Sequence, residues 1–105
     1  MTFTVDLSES AREDLLRLFD HVLERELQRD GGDPQRARAA LDAIGGALET
    51  LSRSPFTCRK AGVDPLMREL VIAFGRQGYV ALFEIVDESR VLVLAVRHQL
   101  EDDYH

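Results

Sequence analysis

One cysteine, three prolines and no tryptophan occur in a chain of 105 residues, and these scarcities narrow the field. A lone thiol, Cys58, cannot close an intramolecular disulfide or supply a cysteine-rich metal cluster. That suits a reducing compartment, so a cytoplasmic protein is expected. Long hydrophobic runs are also missing. Stretches such as Leu70 to Phe74 and Tyr79 to Phe83 fall far short of the ~20 apolar residues that cross a bilayer, so no membrane association is expected. The opening Met1-Thr2-Phe3-Thr4-Val5-Asp6 has no basic run ahead of an apolar stretch, so no secretion signal is expected. No repeat or low-complexity segment appears, and no motif calls for a cofactor or a metal ion. The length fits a single domain over residues 1–105.

Positive charge is scarce as well: 13 Lys and Arg stand against 19 Asp and Glu, for a net charge of −6. Proteins that grip nucleic-acid phosphates draw much of their affinity from clustered cations, so strong direct binding to nucleic acid is not expected. The charge is uneven, however. Between Arg53 and Arg76 lie five basic residues (Arg53, Arg59, Lys60, Arg68, Arg76) and two acidic ones (Asp64, Glu69), while Glu101-Asp102-Asp103 is purely acidic. A local basic groove remains compatible with the total.

What the chain does have is 45% hydrophobic residues in clear periods. Phe3 to Leu7 alternates apolar and polar residues, which predicts a short half-buried strand. Ser8 or Ser10 offers an N-cap, and Ser10-Ala11-Arg12-Glu13 fits a capping box. Leu15, Leu16, Phe19, Val22, Leu23 and Leu27 then form an apolar stripe at helical spacing. His21, Asp14 and Glu24 are expected on the solvated side. Asp30-Gly31-Gly32 stops this helix and Asp33-Pro34 starts a second, with aspartate as cap and proline at the first position. Ala37, Leu41, Ile44, Leu48 and Leu51 make its seam. Gly45-Gly46 in the middle costs helix propensity, roughly 1 kcal/mol per glycine, and a close approach of helix or sheet is expected to compensate. Phe56 to Pro65 reads as a loop. Three β-branched runs follow, roughly 66–74, 78–86 and 90–98, joined tightly enough for an antiparallel meander. The result is an α+β fold of order β-α-α-β-β-β. The helical hairpin packs on one face of a small, mainly antiparallel sheet, and the first strand joins an edge of the meander.

That order of elements resembles the RelE/ParE superfamily of toxins from bacterial type II toxin–antitoxin systems. Val5-Asp6-Leu7-Ser8 with Ala11, Asp14 and Leu15 is similar to the family's opening. Leu48, Leu51, Pro55 and the basic loop are similar to its second helix and the link to the sheet. Arg68-Glu69-Leu70, then Phe74-Gly75-Arg76-Gln77-Gly78-Tyr79-Val80-Ala81-Leu82-Phe83, and finally Val91 to Val96 with Arg97-His98-Gln99 complete the likeness over nearly the whole chain. The pattern looks like the ParE branch, often named plasmid stabilisation proteins. The resemblance implies a toxin neutralised by a cognate antitoxin, whose C-terminal segment wraps the toxin's helices and sheet. ParE members poison DNA gyrase and are not nucleases; RelE members cut messenger RNA on the ribosome.

The residues separate these branches only in part. RNA cleavage needs acid–base groups or cations that stabilise a transferring phosphate. The matching candidates are Arg68 on the second strand, His98 past the last strand, and Tyr104. Histidine stands where many of the family's nucleases carry arginine, and a phosphate near Tyr104 would meet the acidic run beside it. Arg68 could equally face solvent or pair with a neighbouring strand, and Cys58 reads as a structural thiol. The expectation is therefore a non-enzymatic gyrase inhibitor acting through protein contacts. Its surface for target or antitoxin centres on Arg59, Lys60, Arg68, Arg76, Arg97 and His98. A RelE-like ribosome-dependent mRNA endonuclease is the first alternative, and a degenerate antitoxin-binding domain without toxicity the second.

Overall fold

A computed structural model describes residues 2–99. Strand β1 (Thr4–Leu7) leads into helix α1 (Glu9–Gln28), and a tight connection leads to helix α2 (Gln35–Glu49). Two 3-10 turns, Thr50–Ser52 and Pro55–Thr57, precede a two-residue strand β2 (Arg59–Lys60). The meander β3 (Met67–Phe74), β4 (Gln77–Asp87) and β5 (Arg90–His98) follows. The five strands pair in the order β1-β5-β4-β3-β2, antiparallel except for β1, which lies parallel to β5 at one edge. Among the described residues, no helix is long and apolar enough to cross a membrane.

The expected α+β architecture is thus present, with one strand more than the sequence indicates. Arg59 and Lys60 belong to the sheet, opposite Glu69 and Arg68, rather than to a loop. Two residues are too few to show a period, and side-chain contacts reinforce their pairing with β3. Arg59 Nε is 2.9 Å from Glu69 Oε1. Arg68 donates from Nε to the carbonyl of Pro65 and from Nη1 to those of Phe56 and Cys58, at 2.8–3.0 Å.

Alternation along the strands sends one set of side chains to the helices. Ile72, Tyr79, Ala81, Phe83, Ile85, Val91, Val93 and Val96 are buried there against Ala11, Leu18, Ala40, Ile44, Leu48 and Leu51. The β3–β4 hairpin turns on Gly75-Arg76, between the paired Phe74 and Gln77. Gly75 has φ +63, the positive angle that a two-residue hairpin turn of this kind demands. At Gly78 a Cβ would stand 2.0 Å from the Ile72 carbonyl oxygen, so only glycine fits. In the β4–β5 turn the Asp87 carboxylate accepts from the Ser89 N–H (2.8 Å) and hydroxyl (3.0 Å). These bonds hold its pKa below the usual carboxylate value.

Three local expectations change. Of the two serines offered as N-cap of α1 it is Ser8, whose Oγ accepts from the Ala11 N–H at 3.0 Å, and Ser10 of the expected capping box lies inside the helix. The core-facing row of α1 is Ala11, Asp14, Leu18, Val22 and Glu26, not the predicted stripe. Of that stripe only Val22 is buried, and Leu16 and Leu27 are 68% and 65% exposed. Gly45 and Gly46 face open space, with nothing within 4 Å of a Cβ built on either. The cap of α2 is as expected: Asp33 Oδ1 accepts from the Gln35 N–H at 2.9 Å, and Pro34 already has helical angles.

Asp14 is the largest departure. Expected among solvated charges, it is only 7% exposed. β1 ends at Leu7, opposite Val93, and leaves the rest of the β5 edge without a strand partner on that side. The start of α1 covers that edge. The Ser8 N–H and hydroxyl donate to the carbonyls of Val93 and Leu94, and Asp14 Oδ2 accepts from the buried Val96 N–H at 2.9 Å. Arg97 forms an ion pair with the same carboxylate, and Arg17 approaches its other oxygen at 3.4 Å.

Candidate functional site

The displaced stripe of α1 has a consequence. Because Ala11, Leu18 and Val22 fill the core, Leu15, Leu16 and Phe19 are left beside it. Together with Leu7, Leu41, Ile44, Gly45 and Leu48 they line a groove of about 610 Å³ along the helical hairpin, with Arg12 as its charged lining residue. Gly45 contributes no side chain and keeps the α2 wall low. An exposed apolar groove of this kind is the shape that receives an amphipathic helix or extended peptide.

A second site lies where the end of α1 meets the start of α2 and the β3–β4 turn. Arg25 and Arg29 from α1, Arg36 from α2 and Arg76 from the turn line a cleft of about 240 Å³ together with Glu26, Phe74, Tyr79 and His98. The Arg36 guanidinium lies over the Phe74 ring, 4.8 Å from its centroid, a cation–π contact that fixes its plane. His98 stands edge-on to Tyr79, with ring centroids 5.6 Å apart. Burial pushes the Tyr79 hydroxyl up, and Arg25 and Arg36 pull it partly back.

Glu26, at 2% exposure, is in the wall of this cleft. Its Oε1 accepts from Arg29 at 2.9 Å and from the Asp33 N–H at 3.0 Å, which ties α1 to the turn before α2. Its Oε2 has no hydrogen-bond partner, and Arg25 Nε is 4.0 Å away. The bond from Asp33 first, and then the neighbouring arginines, hold this carboxyl below its ordinary value of 4.5 despite its burial. A depressed folded-state pKa makes the contribution to stability fully present above 4.5. It is lost as pH falls through the lower folded value. Acid unfolding followed by circular dichroism should therefore be less steep below pH 4.5 in Glu26→Gln than in the parent.

The residues singled out in the sequence do not gather at one place. Arg76 and His98 line the arginine cleft. Arg68 holds three carbonyls of the segment before β3 and covers the Phe56 ring at 5.4 Å. Arg59 is paired with Glu69 and Arg97 with Asp14, while Lys60 is exposed on β2. Arg68 lies opposite Phe83 and His98 opposite Tyr79. They are four residue steps apart along β4, roughly 13 Å at about 3.3 Å per residue, and lie on strands that flank β4 on opposite sides. Tyr104 lies outside the described residues. Cys58 is half-buried, and burial pushes its thiol pKa up against the opposing charge of Arg68, as a poorly nucleophilic thiol requires.

The sheet face turned away from the helices is apolar where β3, β4 and β5 meet. Val71 lies opposite Val80, Leu82 opposite Ala95, and Val71 is 45% exposed. The sequence reading missed Arg25, Arg29 and Arg36 as well as Glu26. The available signal was the i, i+4 row Asp14, Leu18, Val22, Glu26, in which two apolar residues are bracketed by two acids.

Comparison with known proteins agrees with this architecture. The family described as ParE toxin of type II toxin-antitoxin system, parDE, matches residues 5–103. Toxin RelE1 of Caulobacter vibrioides is 35% identical over 101 residues, which cover 96% of this chain and 98% of that protein. Among solved structures, a chain of the chromosomal ParDE TA system from P. aeruginosa superposes with a TM-score of 0.72 at 19% identity, covering 92% of this chain and 96% of that one. A chain of the toxin–antitoxin complex RelBE2 from Mycobacterium tuberculosis gives a TM-score of 0.57 at 24% identity, covering 93% and 99%. The match over almost the entire length, with two helices on a five-stranded mixed sheet, makes this chain a member of the ParE toxin family of type II toxin–antitoxin systems.

Proposed function

We propose that this toxin acts by protein contacts, with DNA gyrase as its target in the cytoplasm, and that a cognate antitoxin neutralises it. The apolar groove between α1 and α2 carries the antitoxin half of this reading. A soluble domain that leaves Leu16 exposed beside Leu15, Phe19 and Leu41 has a surface suited to an amphipathic partner segment. The P. aeruginosa and M. tuberculosis neighbours come from a TA system and a toxin–antitoxin complex, which supports the same partnership here.

The dispersal of the nuclease candidates supports the inhibitor reading over the endonuclease. Cleavage of a phosphodiester needs its acid–base and cationic groups within reach of one phosphate. The Arg68 guanidinium is occupied by three backbone carbonyls and His98 lies against Tyr79 at the far end of the sheet. The arginines in register with the apolar residues of this sheet face are engaged within the protein, Arg97 opposite Val80 by Asp14 and Arg59, beyond Leu82, by Glu69. Purified toxin added to ribosomes carrying a defined message should leave that message intact. Cleavage that disappears in Arg68→Gln or His98→Gln, with antitoxin binding retained, would favour the endonuclease instead.

A further inference from the structure

We propose that the cleft formed by Arg25, Arg29, Arg36 and Arg76 is a binding site for a phosphate group. It is separate from the antitoxin groove and independent of the choice of toxin target. Four guanidinium groups from α1, α2 and the β3–β4 turn surround it, and Glu26 is the one carboxylate among the described residues of its lining. That carboxylate offsets only part of the cluster's charge, through Arg29 and Arg25. It is buried, its Oε1 is occupied by Arg29 and the Asp33 N–H, and its Oε2 is unbonded although Arg25 is near. One buried carboxylate against four guanidinium groups leaves the cleft with an excess of positive charge.

The arrangement is also built. Stacking on Phe74 fixes the plane of Arg36. Gly75 leaves room for that guanidinium, since a Cβ there would stand 2.5 Å from Arg36 Nη2. The same glycine forms the hairpin turn that sets Arg76 on the opposite rim.

The geometry favours phosphate over carboxylate. A carboxylate is planar and is satisfied by one guanidinium fork, whereas a tetrahedral phosphate accepts donors from several directions at once. Cations converging from three separate elements match the second. The net charge of −6 opposes a long polyanion, so the ligand is one compact phosphate, free, on a nucleotide, or at a single position of a nucleic-acid backbone.

Full-length ¹⁵N-labelled toxin titrated with inorganic phosphate tests this, with AMP and a short dye-labelled thymidine oligonucleotide as parallel arms. Saturable shifts of the Gly75 and Arg76 amides are expected. Binding should weaken about tenfold in Arg76→Gln, an exposed position whose loss leaves the fold intact, and vanish in the Arg36→Gln, Arg76→Gln double variant. Arg59→Gln on β2 should bind as the parent does, and antitoxin binding should be unchanged in Arg76→Gln. Response to phosphate and AMP alone identifies a small-molecule source, and tight oligonucleotide binding through the same arginines identifies the nucleic-acid backbone. Absence of saturation with any phosphate ligand, or equal binding by the double variant, overturns the proposal. So does a response confined to a peptide rich in Asp and Glu, which would make the cleft a protein-docking surface.

Discussion

Asp14→Ala is expected to destabilise the domain by about 3 kcal/mol, the cost of an orphaned buried donor together with a broken, mostly buried ion pair. The carboxylate serves two groups. The Val96 N–H points at α1 where β1 has already ended, and alanine would leave it buried without an acceptor. Arg97, whose side chain is 22% exposed, would lose its ion pair with Asp14. For a domain of about 100 residues this corresponds to a fall in Tm of ~12–24 °C. Asp14→Asn keeps an acceptor for Val96 but not the charge facing Arg97, so its loss should be near 1 kcal/mol. Thermal and urea unfolding of both variants check the order. Equal, negligible losses would mean that the β5 edge is not held by this carboxylate.

The second large effect concerns the groove. Leu16→Glu should weaken antitoxin binding about a hundredfold, since a charge would be buried at the centre of an apolar contact and each tenfold is about 1.4 kcal/mol. Leu16 is 68% exposed in the free toxin, so stability should change by no more than about 0.5 kcal/mol. Leu27→Glu is the matched control. It is 65% exposed on the same helix but is not part of the groove lining, and its antitoxin affinity should stay at the parental value. Calorimetry with the purified antitoxin reads both. An equal loss from the two variants would place the antitoxin contact elsewhere on α1 or on the sheet.

These two positions also show what was legible in the sequence. The meander was readable because its strands are rich in Val, Ile and Leu and its turns carry Gly75 and Asp87-Glu88-Ser89. The edge position of β1 followed from topology, while its parallel pairing with β5 is seen only in the structure. The facing of α1 was not readable, because its apolar residues cover a sector wider than the core needs. Periodicity located the sector's centre near Leu15, Phe19 and Leu23, whereas burial is centred on Ala11, Leu18 and Val22. Two acids, Asp14 and Glu26, complete the buried row, and a charge is normally read as solvated. Only a tertiary partner, the Val96 N–H for one and the Asp33 N–H for the other, makes such burial tolerable.

The basic residues divide for a similar reason. Arg59, Arg68 and Arg97 looked equivalent to Arg76 as candidate contacts, yet they are engaged by Glu69, by three carbonyls and by Asp14. The arginines of α1 and α2 escaped notice because Arg25, Arg29 and Arg36 span the connection between two helices and converge only in three dimensions.

The central claim, inhibition through protein contacts, is tested most directly by incubating purified toxin with DNA gyrase, supercoiled plasmid and ATP and resolving the DNA products. Accumulation of gyrase-trapped cleaved DNA with loss of supercoiling, reversed by antitoxin, is the expected result. Unimpaired gyrase in the presence of folded toxin, together with cut message on ribosomes, would contradict it.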